Sequence, residues 1–390
     1  MVNSIIITLC CLLLLAYVFD LTSSITRIPS VILLLILGLA AKLVSNFLGL
    51  EIPDLTSLLP IFGTIGLILI VLEGSLELEL NKSKKSVIRK TLAASFIQIA
   101  LLSFGFAFLF YYFGDYPFSL ALINAIPLCV ISSAIAIPSS KNLSPEKKEF
   151  VIYESSLSDI IGVLLFNFVL TNEVVNLHSF TTFGVQLIIL VIVSLIATIG
   201  LAYLLHKIDH HVKFTPILIL VILIYGISKY FHLPALAFIL IFGLIAGNLD
   251  EFKKIKFIDK IHPETLNAEI HKFKELLSEM AFLTRALFFL LFGYLLDVND
   301  ILNANTILWS GTITVLIFAV RFAQLRLFGT KSLQLILMAP RGLITILLFL
   351  SIPSEKSIAL VNKPLVIQVI ILTSLVMMLG SIIGKNKTAE

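Results

Sequence analysis

Apolar stretches of membrane-spanning length recur along the chain at 4–19, 30–46, 58–76, 91–113, 117–140, 150–171, 182–205, 214–231, 233–249, 276–296, 306–327, 332–352 and 364–384. About 20 helical residues cross a hydrocarbon core of roughly 30 Å, so this pattern predicts an all-α polytopic membrane protein of about 13 transmembrane helices. The connectors are short and polar, apart from one charged, mildly amphipathic stretch from Glu251 to Glu275, which reads as an interfacial helix. One membrane domain covers 1–390, with no soluble regulatory domain.

The exceptions to this pattern carry the information. Phe150 to Leu170 is long enough to span, yet it holds Glu154, Asp159 and the small polar residues Ser155, Ser156 and Ser158. A carboxylate at mid-bilayer costs roughly 2.5–3.5 kcal/mol on insertion scales, so two on one helix point to something that they bind. Five residues apart, Glu154 and Asp159 point about 140° away from each other and serve different partners. Ser155, Asp159 and Gly162 share one stripe, a carboxylate flanked by a hydroxyl and a gap, which suits a small cation or a proton.

Two further spans are interrupted. The fifth has Ser132 and Ser133 near its middle and Pro138 beyond; the twelfth has Pro340-Arg341-Gly342. Broken backbone at this depth is tolerated only where protein or a water-filled cavity satisfies it. Two such helices crossing beside an acidic one put half-helix ends and free carbonyls around a cation, with Arg341 offsetting the negative ends. The chain also echoes itself: Pro29-Ser30-Val31 leads to Gly38-Leu39 in the second span, and Pro234-Ala235-Leu236 to Gly243-Leu244 in the ninth. Seven spans separate the copies, so the second is inverted relative to the first. Two inverted-topology repeats, about 1–180 and 210–384, follow from that offset, which also pairs the fifth span with the twelfth.

Composition agrees with this picture. The mean hydropathy is +1.06, with 58% hydrophobic and 13% charged residues, far from soluble globular proteins. Basic residues choose the orientation. Lys82, Lys84, Lys85, Arg89 and Lys90 follow the third span, Lys141, Lys147 and Lys148 the fifth, Lys207 and Lys213 the seventh, and Lys253, Lys254, Lys256, Lys260, Lys272 and Lys274 the ninth. The odd-numbered loops are therefore cytoplasmic, with the N-terminus outside and the C-terminus inside. The first apolar run lacks a basic n-region and a cleavage site, and reads as a retained span. Cys10, Cys11 and Cys129 lie in apolar runs and form no disulfide framework. His178, His206, His210, His211, His232, His262 and His271 fall in loops or near span ends without a metal motif, and no nucleic-acid motif occurs.

Four segments resemble a known family. Glu154-Ser155-Ser156-Leu157-Ser158-Asp159 is similar to the sodium/proton exchanger signature Glu-Ser-Leu-x-Asn-Asp. Leu72-Glu73-Gly74-Ser75-Leu76 resembles the end of that family's third span, RIPSVILLLILGL its second, and Ala339-Pro340-Arg341-Gly342-Leu343 its Arg-Gly break in the twelfth. In this order they resemble the monovalent cation:proton antiporter superfamily. The resemblance implies crossed discontinuous helices, a homodimer in the cell membrane, and exchange of Na⁺ (or K⁺ or Li⁺) for H⁺ by alternating access. Asp159 takes the place of the carboxylate that carries both cation and proton, and Glu154 that of the glutamate paired with an arginine, matched here by Arg321. Ser158 stands where the electroneutral branch has Asn and the electrogenic branch a second Asp, which suggests one titrating carboxylate and electroneutral exchange. Ser132-Ser133-Ala134 replaces the Thr-Asp-Pro of many exchangers and resembles the potassium-efflux branch.

Each of these residues also has a plainer reading. Asp159 is otherwise a structural carboxylate paired with a neighbouring helix, Arg341 a scaffold charge, and Ser132, Ser133 and Ser158 packing residues. Glu73 is interfacial or lines an entry funnel, and Arg285 has no role derivable from sequence. A cation channel would use the same aspartate but wants a repeated filter motif, which is missing. A symporter for a small organic solute on a similar fold fits less well beside two carboxylates. An intramembrane enzyme needs a catalytic loop, and the loops here are too short. No cofactor is called for beyond the transported Na⁺ or K⁺ and H⁺.

Overall fold

In a computed structural model, the structure describes residues 2–26, 28–49, 58–78, 80, 82–172, 176–207, 214–231, 233, 235–248 and 263–383. The charged stretch 251–262 lies outside them, as do Pro234, His210, His211, His232, His262 and the ends 210 and 384 assigned to the second repeat.

Each of the thirteen apolar runs appears as a helix or as a pair of half-helices. In chain order they are α1 (Val2–Thr26), α2 (Ser30–Phe47), α3 (Leu58–Glu77), α4 (Lys85–Gly114), the halves α5 (Phe118–Ala125) and α6 (Ser133–Ser139), α7 (Pro145–Thr171), α8 (Leu177–Lys207), α9 (Phe214–Tyr230) and α10 (Ala235–Gly247). After them come α11 (Pro263–Tyr294), a single turn α12 (Val298–Ile301), α13 (Ala304–Leu327), the halves α14 (Leu333–Leu337) and α15 (Leu343–Leu350), and α16 (Lys363–Ile383). Among the described residues, eight segments are long and apolar enough to cross a membrane, and three shorter apolar helices accompany them.

The ends obey local chemistry. Proline precedes α2 and α5 and opens α7 and α11, where its missing N–H is no loss. At the end of α13, Gly329 (φ 75°) and Thr330 return their N–H groups to Arg326 and Leu325, closing the helix as a Schellman motif. Asn303 opens that helix by accepting from the Asn305 amide at 3.0 Å. One expectation changes: residues 263–275 do not form a separate interfacial helix but continue directly into the span, as the first turns of α11. Nothing between Pro263 and Tyr294 breaks the helix, since its only proline sits at the first position.

Two compact units partition the chain. The first comprises 1–66, 91–162 and 282–390; the second comprises 67–90 and 163–281. Within the first, α2 and the end of α11 meet through glycines. A Cβ on Gly38 would run into the Leu290 carbonyl and the Tyr294 amide (2.8 Å), and one on Gly293 would come within 2.9 Å of Leu35 Cα. Within the second, α10 meets α3 the same way, with Gly243 against Ser75 and Gly247 against the Leu76 backbone (2.7 Å to its carbonyl). Small residues that let backbones approach this closely are how apolar helices associate where water offers no driving force. Asparagines tie loops to helix ends in both units. Asn124 donates to Lys356 O (2.8 Å) and accepts from Ile358 N (3.3 Å), while Asn248 donates to Leu78 O (2.7 Å) and accepts from Leu80 N (2.6 Å).

Candidate cation site at the crossing of the interrupted helices

The buried charged side chains among the described residues, Glu154, Asp159, Arg321 and Arg341, all lie in the first unit. Between α5 and α6 the chain makes one tight turn at 126–128 and then runs extended to Ser132; between α14 and α15 it is non-helical from Met338 to Gly342. The two breaks touch through the main chain, with Ser132 N donating to Pro340 O at 2.9 Å. Gly342 permits this approach, since a Cβ there would lie 2.6 Å from Ser132 Oγ and 2.7 Å from Ile135 Cδ1.

Arg341 is fully buried at the crossing. Its Nε donates to Leu128 O at 2.8 Å and its Nη1 to Ala339 O at 2.9 Å, so one guanidinium satisfies a carbonyl from each interrupted segment. Its amide donates to Thr373 Oγ1 on α16 at 3.1 Å, and its Nη2 has no partner among the described residues.

Beside the crossing runs α7. Asp159 is 3% exposed, and its Oδ2 accepts from the hydroxyl of Ser133, the first residue of α6, and from the Ser133 amide at 3.4 Å. The other oxygen, Oδ1, is buried without a hydrogen-bond partner among the described residues. Ser158 accepts from the Ile131 amide at 2.9 Å, thereby holding the extended stretch. Gly162 removes the side chain that Val130 would otherwise strike. Ser155 turns its hydroxyl to its own helix, donating to Val151 O at 2.7 Å, whereas the hydroxyls of Ser132 and Ser156 are buried and have no hydrogen-bond partner among the described residues.

On the far side of α7, Glu154 meets Arg321 of α13 in a two-pronged ion pair, Nη2 to Oε2 at 2.8 Å and Nη1 to Oε1 at 3.0 Å. Arg321 is fully buried; it also donates to Gln98 Oε1 on α4 (2.8 Å) and to Leu335 O on α14 (2.9 Å). A buried arginine with every face engaged ties four helices together. Ser95 adds a hydrogen bond to Glu154 O at 2.9 Å. Sequence reasoning missed this role of α4, though Thr91, Ser95 and Gln98 mark one stripe at helical spacing in an otherwise apolar run, and all three are buried.

Of the remaining candidates, Glu73 in the second unit accepts from Ser278 Oγ at 2.6 Å, on the exposed part of α11. Arg285 is half-buried on α11. No group of three or more His, Cys, Asp or Glu side chains able to hold a resident metal occurs among the described residues.

An all-helical membrane protein with two interrupted helices crossed at a buried carboxylate belongs to the class of secondary transporters. The model of the transmembrane sodium/hydrogen exchanger family matches residues 10–384, and the chain belongs to that family. It is thus a transport protein of the cation:proton antiporter kind and not an enzyme. No individually curated protein matches it in sequence. Among solved structures, the sodium proton antiporter MjNhaP1 from Methanocaldococcus jannaschii at pH 8 is similar with a TM-score of 0.69 at 19% identity, over 98% of this chain and 99% of that one. An electron-microscopy map of the same antiporter gives 0.66 at 19% identity, over 100% and 96%. The likeness extends the fold to the whole length of both chains.

Proposed function

We propose that this protein exchanges a monovalent cation for H⁺ by alternating access, with Asp159 as the one carboxylate that both occupy in turn. The observation that carries this reading is the state of that side chain: buried, anchored through Oδ2 by Ser133 at a helix break, and with Oδ1 unclaimed. A proton and a cation compete for the same negative charge, and either one neutralises it. A carboxylate locked to a basic group could not do this, and Arg321 is occupied by Glu154. Glu154 and Arg321 act as the structural pair, and Arg341 as the charge that holds the breaks in register. Ser132 and Ser133 serve as ligands beside Asp159; Ser155 and Ser158 act nearby, the latter by holding the extended stretch.

The charge balance supports electroneutral exchange. Glu154, Asp159, Arg321 and Arg341 sum to zero when Asp159 is ionised. Loading a proton or a monovalent cation brings the group to one positive charge in either case. One-for-one exchange then moves the same charge in both directions. Na⁺ is the leading substrate from the family, with K⁺ and Li⁺ of the same class.

The glycine contacts support the inverted repeat of about 1–180 and 210–384. By the seven-span offset α2 corresponds to α10, and α3 to α11; the contact of α2 with α11 in one unit is matched by that of α10 with α3 in the other. The basic odd-numbered loops support an N-terminus outside and a C-terminus in the cytoplasm, and family resemblance supports a homodimer in the cell membrane.

Proteoliposomes with an internal pH dye test the reading. An imposed Na⁺ or K⁺ gradient drives opposite H⁺ movement, and Asp159→Asn abolishes it while the protein stays folded. Exchange persisting in that variant would reject Asp159 as the carrier. A rate independent of a valinomycin-clamped voltage agrees with electroneutrality, and one that scales with voltage overturns it.

A further inference from the structure

Ser156 takes no part in the hydrogen bonds that hold the crossing, and its surroundings are unusual. Serines and threonines in apolar helices ordinarily return their hydroxyl proton to a carbonyl one turn back, as Ser155 does to Val151 and Thr373 to Val369. The hydroxyl of Ser156 does not, although its side chain is only 5% exposed, and it has no other partner among the described residues. Buried hydroxyls are rarely left so, because the loss of hydration goes uncompensated.

Its position on α7 is informative. At 100° per residue, Gly162 lies about 60° to one side of Asp159 and Ser158 about 100° to the same side. That is the flank on which Val130 and Ile131 of the extended stretch pack. Ser156 lies about 60° to the other side, one turn before Asp159, at a spacing that makes the two side chains neighbours. Ser133 claims Oδ2, so the free oxygen of Asp159 and the free hydroxyl of Ser156 are two unsatisfied acceptors on adjacent turns of one helix. The signature that this stretch resembles has Leu at the corresponding position, an apolar residue without an oxygen to offer.

We propose that Ser156 supplies a ligand oxygen to the cation at Asp159, and that this added hydroxyl extends the site's acceptance from Na⁺ towards the larger K⁺. The inference rests on the reading of Asp159 as the cation site. Selectivity between ions of equal charge follows the number of ligands and the room around them, and a neutral hydroxyl adds a ligand without adding charge. The stoichiometry with H⁺ is therefore untouched by Ser156, which separates its role from that of Asp159.

The test compares the full-length protein with Ser156→Ala and Ser156→Thr. Exchange is measured in proteoliposomes against Na⁺ and K⁺ pulses, and thermal unfolding in detergent is followed in KCl, NaCl and choline chloride. Loss of one ligand bond raises the apparent KM for K⁺ by about three- to tenfold, the factor that a net contribution of a single polar contact gives. The KM for Na⁺ rises less, the maximal rate is unchanged, the K⁺-specific rise in unfolding temperature shrinks, and Ser156→Thr restores all of these. An unaltered ratio of the two KM values in Ser156→Ala overturns the proposal while the antiport reading stands. Equal loss for both cations with a lower unfolding temperature in choline also overturns it, because that is the signature of a packing role. If the unaltered protein moves no protons in response to either cation, the antiport reading falls; the salt-specific unfolding shift then decides Ser156 alone, its persistence in Ser156→Ala ruling the ligand role out.

Discussion

Arg321 grips the carboxylate of Glu154 through both terminal nitrogens, at 2.8 and 3.0 Å, in a part of the protein where neither side chain reaches solvent. Removing one partner leaves a buried charge without its counterpart, a loss on the order of 3–5 kcal/mol. Arg321→Met and Glu154→Gln should therefore each lower the unfolding temperature in detergent sharply. The double variant should recover much of the loss, since it buries no lone charge. If the double variant is as unstable as the sum of the singles, the pair is not the origin of the effect.

Arg341 answers two carbonyls that the helix breaks set free. In Arg341→Met, Leu128 O and Ala339 O lose their side-chain donor, each at about 1–3 kcal/mol. Thermal unfolding should show this, and Arg341→Lys should fall between the two, because a lysine can reach one carbonyl but lacks the fork to reach both.

The glycine contacts predict an asymmetry and a suppressor. At Gly38 the added methyl meets backbone atoms of α11, which cannot step aside, whereas at Gly243 it meets the side chain of Ser75. Gly38→Ala should destabilise by about 1–3 kcal/mol or more. Gly243→Ala should be repaired in large part by Ser75→Gly, and no change at one position of α11 should repair Gly38→Ala. Unfolding temperatures of these variants check both statements.

At the end of α11, Lys42 donates hydrogen bonds to Leu296 O (2.8 Å) and to the Asp297 carboxylate. The hydrogen bond from Lys42 and then its charge hold the Asp297 carboxyl below the usual range, with Lys363 adding to the effect. A folded-state value below the unfolded one, about 3.9, gives stability that is fully present above that pH and lost as pH falls through the folded value. Asp297→Asn should thus be slightly less stable than the unaltered protein at pH 6, and the gap should close below about pH 4. The pair is exposed, so salt should shrink the gap as well.

Much of this was legible in the chain because the bilayer punishes exceptions. The spans announce themselves by length, and Ser132-Ser133 and Pro340-Arg341-Gly342 betray the breaks because nothing polar or helix-breaking sits at that depth without cause. Asp159 stood out for the same reason. Other features were hidden, each by a physical cause. Gln98 is an uncharged residue in an apolar run, and only the fold brings it to Arg321, 223 residues away in sequence. The interleaving of the two units at 66, 90, 162 and 281 depends on long-range packing, which leaves no local trace. Asn124 and Asn248 look like ordinary helix-end residues until the loops that they clasp are in place. The run from Pro263 to Tyr294 changes character from charged to apolar along its length, so one continuous helix reads as two elements.

The hydrogen bond from Ser132 N to Pro340 O joins the two interrupted helices through atoms that every residue possesses. Only a proline at the donor end could delete it outright. Apart from Gly342, whose missing side chain lets the two segments meet, a joint of that kind is indifferent to spelling: letters around it can be exchanged over long divergence while the knot holds. Chains agreeing at barely one position in five can on that account keep the same architecture, leaving the neighbouring side chains free to be retuned for different ions.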